Sequence, residues 1–148
     1  MTWTQLLAQN AVKHHKTSKE ELESVRAIIA RDLADASVSG LSADRRFATA
    51  YNAALQSAKM PIACAGYRVT AGAGHHKISF DCIELAMGSR AKSFADYFDR
   101  CRRKRNTIDY DSAFVATETE AEEILQRANE FVEMVEEWIA AKHPAFKS

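Results

Sequence analysis

TETEAEEILQRANEFVEMVEEWIAAKHP, residues 117–144, is the stretch whose reading decides the fold. Ile124, Ala128, Phe131, Val135 and Trp138 recur at steps of three and four, with Ile139 beside them, so all six fall on one side of an α-helix. Thr117 with Glu120, or Thr119 with Glu122, has the spacing of a capping box that starts the helix, and His143 with Pro144 ends it. A helix this long with one broad apolar face must bury that face against other helices.

The chain supplies such helices upstream. From about Ala91 to Tyr110, Phe94, Phe98, Cys101 and Ile108 share a stripe. Before it, ISFDCIELAMG ends at Gly88, and Ile78, Cys82, Leu85 and Ala86 fit helical spacing; Ile78 to Ile83 alone would also suit a strand, but length and context predict a helix. AGAGHH, residues 71–76, carries two glycines and predicts a loop. Ser42 caps a helix whose side is lined by Phe47, Tyr51, Ala54, Leu55 and Ala58 and which stops before Pro61. Ser18 and Glu21 form another capping-box pair, followed by Leu22, Val25, Ile29, Leu33 and Ala36 on one face up to the break at Ser37 to Gly40. Trp3, Leu6 and Leu7 make one or two turns at the start. No internal repeat or low-complexity stretch intervenes. The fold class expected is all-α, an up-and-down bundle of four to five helices forming one domain over residues 1–148, with its core at about 18–142.

Composition agrees. The sequence has only five Gly and two Pro with 47% apolar residues, which excludes collagen-like, disordered and turn-punctuated β classes. Twenty basic and twenty acidic residues cancel, so any attraction to nucleic acid must be local. Cys64, Cys82 and Cys101 are odd in number and lack CxxC spacing, so neither a disulfide framework nor a zinc site is encoded. The N-terminal MTWTQLLAQNAVKHHK lacks the apolar run of an export signal, and no segment has the length of apolar residues a membrane span requires. A reduced, cytoplasmic setting is expected.

The densest chemical feature is RCRRKRNTIDY, residues 100–110, with five cations in its first six positions. At about 100° per residue Arg105 falls between Phe98, Cys101 and Ile108, in the middle of the apolar stripe. A guanidinium keeps its proton there, so it requires a carboxylate, a partner subunit or a ligand phosphate. Two readings remain open. In one, Arg105 pairs with Asp109 one turn on while Arg100, Arg102, Arg103 and Lys104 form a solvated face. In the other, Arg102, Arg105 and Asn106 converge on a phosphodiester and Asn106 or Tyr110 positions it. His75 and His76 have the chemistry of an acid/base or metal pair, but no third ligand stands at a recognisable spacing, so helix-start or loop hydrogen bonding competes with a role in a groove. His14 and His15, flanked by Lys13 and Lys16, have the look of solvated surface. The chain has no phosphate-binding glycine loop, nucleophile elbow or HExxH motif.

The order AYNAAL (50–55), AGYR (65–68), GHH (74–76) and RRKRNTIDYD (102–111), followed by a long amphipathic helix, resembles the HEPN domain superfamily over roughly residues 18–142. The resemblance implies a small helical bundle that homodimerises, of a kind found in toxin-antitoxin and defence systems, where many members are metal-independent ribonucleases and others are noncatalytic. The family motif is an Arg, usually followed by a polar residue such as Asn, with a His four to six positions on, one motif from each subunit facing across the dimer cleft. Arg105 and Asn106 match its start; the position five after Arg105 is Tyr110 rather than His. The family's His helps the 2′-hydroxyl attack its own phosphate, and a tyrosine of ordinary pKa, about 10, is a poor base at neutral pH. An Asp-Tyr ending also occurs in the branch that looks like this chain.

On this resemblance Arg105, Asn106 and Tyr110 stand in the catalytic positions, and Arg102, Asp109, His75 and His76 in the substrate-binding ones, with no metal and no cofactor. The activity implied is RNA or nucleotide binding with degenerate or weak ribonuclease capacity. The alternatives are an active ribonuclease toxin in which His75 or His76 replaces the missing motif histidine, and a noncatalytic, antitoxin-like interaction module. A nucleotidyltransferase is a partner in the subgroup with an RxxxxHxY pattern, where it modifies the tyrosine; Ser112 occupies that position here, which speaks against the modification.

Overall fold

A computed structural model of the chain describes residues 1–110 and 113–148, and the side chains of all of these except Asp109 and Tyr110. The described elements are α1 (Trp3–Ala8), β1 (Val12–His14), α2 (Lys19–Ala36), α3 (Ala43–Cys64), β2 (Tyr67–Val69), α4 (His75–Met87), α5 (Lys92–Tyr110) and α6 (Glu118–Lys142), with 3-10 turns at Ser89–Ala91 and Pro144–Phe146. The architecture is an all-α helical bundle, as its apolar periodicities require. Its central helix is α3, which packs against α2, α4, α5 and α6. Ala50, Ala53, Ala54 and Ala58 of α3 are wholly buried, and their small side chains let the neighbouring helices approach closely.

The helix starts follow from the caps. Thr117 and Glu120 make both halves of a capping box, at 3.0 Å each, so that pair rather than Thr119 and Glu122 begins α6. Ser42 accepts the Arg45 N–H at 3.2 Å and Ser18 the Glu21 N–H at 3.1 Å. Glu21 does not complete the box at Ser18; its carboxylate is held instead by His15 Nε2 at 2.6 Å and the Thr17 hydroxyl at 2.9 Å.

Three local expectations need correction. First, α3 continues through Pro61 to Cys64. The missing N–H gives up one bond to the Ser57 carbonyl, yet Met60, Ile62 and Ala63 remain buried, and their packing outweighs the break. Second, the loop predicted over 71–76 ends earlier: Gly74, at φ 80°, turns the chain and α4 begins at His75. Third, a two-stranded antiparallel ribbon pairs Val12 with Val69, Lys13 with Arg68 and His14 with Tyr67. Three-residue strands are too short to show a period, and their partner lies far along the chain. His14 and His15 are accordingly more than solvated surface. His14 stacks on Tyr67 at 5.3 Å, Trp3 covers that ring at 4.2 Å, and His15 holds Glu21.

Leu6 and Val12 pack with Ile62 and Cys82 in a satellite cluster. The main core is knit by aromatic side chains: Phe80 of α4 lies 5.8 Å from Phe98 of α5, and Phe98 lies 5.5 Å from Phe131 of α6. Tyr51 of α3 meets Phe80 edge-on at 5.8 Å, so the row leads from α6 across the bundle to the α3–α4–α5 junction. These separations lie in the favourable range for aromatic pairs. The segment before α6 is tied to α3 by one carboxylate: Asp44 accepts the N–H groups of Phe114, Val115 and Ala116 at 2.6, 2.9 and 2.7 Å. Among the described residues no helix is long and apolar enough to cross a membrane.

Candidate functional site at the α3–α4–α5 junction

Arg105 projects from α5 toward α3, where its guanidinium carbon lies 5.6 Å from the centre of the Tyr51 ring. The stripe arithmetic placed it correctly: it is half-buried, while Phe98 and Cys101 on the same face are buried. The predicted pairing with Asp109 falls on a side chain outside the described residues, as does the role of Tyr110, and Ser112 is also outside them.

Tyr51 has no exposed surface, and a buried phenol needs a partner for its hydroxyl. The partner is His76, whose Nδ1 lies 3.0 Å from the Tyr51 oxygen. His76 belongs to the first turn of α4, directly after His75, and the two imidazoles stand nearly perpendicular with centres 4.3 Å apart. His75 is anchored through its Nδ1, 2.8 Å from the Gly72 carbonyl oxygen, which also accepts the His75 backbone N–H at 3.3 Å.

Burial dominates the electrostatics of the junction. Burial, followed by the neighbouring His75 ring and the positive charges of Arg105, Arg102 and Lys59, pushes the His76 pKa from 6.5 down to about 4. Burial likewise drives the Tyr51 hydroxyl well above its ordinary pKa, outweighing the pull of Arg105 and Arg102. At neutral pH both groups are therefore uncharged hydrogen-bonding groups among cations contributed by α3 and α5.

The basic run of α5 does not behave as one solvated face. Arg100 and Arg103 are exposed. Arg102 is half-buried, with its Nε held by Asp99 at 3.0 Å, and Lys104 is matched by Glu120 of α6 at 2.6 Å. The structure thus brings Arg102, Arg105, His75 and His76 into one neighbourhood, with Asn106 exposed one position past Arg105. Sequence reasoning missed Tyr51, taking it as one member of an apolar stripe, and Lys59, which marks no period. A hydroxyl-bearing ring in the middle of an alanine-rich buried face was the available signal for Tyr51, since it demands a polar neighbour.

Other chemistries find less support. The three thiols are raised by burial to about 11, 12 and 11 for Cys64, Cys82 and Cys101, which leaves none as an activated nucleophile. Among the described residues no three His, Cys, Asp or Glu side chains are grouped as metal ligands. A hollow of about 690 Å³ is lined by Ser42, Asp44, Ile108 and Phe114 among others and not by Arg105 or the histidines.

A family model for the HEPN domain matches residues 30–138, well over half of the chain, and every element of this junction lies inside the match. The chain belongs to the HEPN domain family. That membership places its function in the RNA-related or nucleotide-binding range associated with these domains. No curated protein and no solved structure matches it.

Proposed function

We propose that this protein binds RNA or nucleotide, as a homodimer, at the surface around Arg105, with weak or degenerate metal-independent ribonuclease capacity. The observation that carries the proposal is the convergence of Arg102 and Arg105 with the His75–His76 pair across Tyr51. Arginines beside neutral hydrogen-bonding groups suit a phosphodiester backbone, whose charge rewards cations. Asn106 belongs to the proposed site, Asp109 and Tyr110 are assigned to it by sequence position alone, and the two-fold arrangement of the family brings a second set opposite the first.

The experiment is binding of labelled single-stranded RNA to the full chain in EDTA, beside Arg105→Ala. Loss of one phosphate contact is expected to weaken binding about tenfold and to lower the slope of log affinity against log salt by about 1. Equal affinity and equal slope for the two proteins would refute the site.

A second reading, an active ribonuclease toxin, draws on the same geometry: His75 and His76 stand beside Arg105, so one of them replaces the motif histidine whose position Tyr110 occupies. Growth arrest on expression that is relieved by Arg105→Ala and by either histidine substitution separates it from a binding-only protein.

A further inference from the structure

We propose that His75 and His76 are locked in opposite tautomers, so that adjacent residues present one hydrogen-bond acceptor and one donor to a ligand that carries a hydroxyl next to a phosphate. The inference rests on the binding reading above for its ligand, and on hydrogen-bond direction alone for its tautomers.

A carbonyl oxygen only accepts. The 2.8 Å contact between His75 Nδ1 and the Gly72 oxygen therefore places a proton on Nδ1, and neutral His75 carries its lone pair on Nε2. His76 is the reverse case. Its Nδ1 is the one partner of the Tyr51 hydroxyl among the described residues, and Tyr51 is buried and keeps its proton at neutral pH. If His76 donated from Nδ1, the phenolic hydrogen would be left buried with no acceptor, at a cost of about 1–3 kcal/mol. Tyr51 therefore donates, Nδ1 accepts, and the His76 proton resides on Nε2. The perpendicular packing of the rings follows from these two anchors, one in the Gly72–Gly74 turn and one in the core.

His76 stands within reach of cations from two other helices, Arg102 and Arg105 on α5 and Lys59 on α3. A phosphate drawn to those cations meets His76 Nε2–H as an uncharged donor. The neighbouring His75 Nε2 then accepts from a hydroxyl on the same strand. Ribose has such a hydroxyl at the 2′ position beside the phosphate and deoxyribose has none, so His75 is the residue that sets a preference for RNA over DNA of the same sequence.

Two measurements on the full chain test this separately from the binding site itself. Long-range proton–nitrogen correlation spectra of the histidine-labelled protein at neutral pH, without ligand, should show His75 protonated on Nδ1 and His76 on Nε2. Tyr51→Phe, which keeps the ring and removes the donor, should release only the His76 bias. A protonated His76 Nδ1 or a protonated His75 Nε2 in the neutral ring overturns the tautomer assignment, whether or not RNA binds. In parallel, a single-stranded RNA is compared with its all-deoxy counterpart. One hydrogen bond predicts a preference of about five- to tenfold for RNA, lost in His75→Ala, for which the RNA and DNA affinities should coincide. A preference that survives His75→Ala overturns the ribose role. Equal RNA binding by the protein and Arg105→Ala instead sinks the binding site and leaves the tautomer spectra to stand alone.

Discussion

Two arginines meet α3 within five residues of each other, and the chain treats them differently. Arg46, on α3 itself, is 7% exposed. It donates Nε to the Ala36 carbonyl that ends α2 at 2.9 Å and is clasped by Glu118, at 3.1 Å, and Glu122 from the first turns of α6. Arg26 repeats the pattern, with two hydrogen bonds to Glu136 at 2.8 and 2.9 Å and one to the Phe146 carbonyl at 2.7 Å. Arg105, by contrast, lies over an aromatic ring, next to a histidine whose pKa is pushed down in part by the arginine's own charge. Where arginine closes the bundle, carboxylates of α6 and a backbone carbonyl converge on it. At the α3–α4–α5 junction the groups that converge on His76 are cations. In a chain of zero formal net charge, His76 is thus held neutral beside Arg105, Arg102 and Lys59.

That contrast can be broken by experiment. The largest expected effect is on stability: Arg46→Met should lose about 1–3 kcal/mol, since it removes charge-assisted bonds and leaves the α2 terminal carbonyl without its donor. Chemical denaturation measures it. Arg105→Met should cost less stability than Arg46→Met while weakening RNA binding about tenfold. A variant as destabilised as Arg46→Met, with RNA affinity intact, would move Arg105 into the structural class.

The smallest effect is a pH slope. His76 is neutral when folded down to about pH 4 but takes up a proton near its ordinary pKa of 6.5 when unfolded. The unfolded chain therefore binds more protons between those values, and stability falls as pH drops from 6.5 to 4. His76→Gln should flatten that window in thermal melts taken across it. Glu21, held low chiefly by His15, and Glu120, held low chiefly by Lys104, lose their contribution only below about 4.5, so the two sources separate by pH. An unchanged slope in His76→Gln would deny that burial and the neighbouring cations hold the His76 pKa down.

Much of this molecule was legible before any coordinates. The faces of α2, α3, α5 and α6 follow from apolar steps of three and four, Ser18 and Ser42 mark helix starts to the residue, and the start of α6 was narrowed to Thr117 or Thr119. Arg105 stood out because a permanent charge occupied an apolar stripe. The site's company was not legible in the same way. Tyr51 sits in its stripe as any aromatic would, and His76 is one of two adjacent histidines with no period. The Val12–Val69 ribbon and the continuation of α3 past Pro61 were also invisible, since each depends on packing partners rather than on neighbours in the chain.

The order of residues alone determined the helices, their caps, the buried faces and one misplaced charge, because those follow from i to i+3 and i+4 geometry within a single helix. Tertiary structure alone decided that the charge faces Tyr51, that Tyr51 reaches His76 across 25 residues of chain, and which nitrogen of each histidine carries the proton. Hydrogen-bond direction depends on atoms that only packing brings within 3 Å, and no periodicity encodes it.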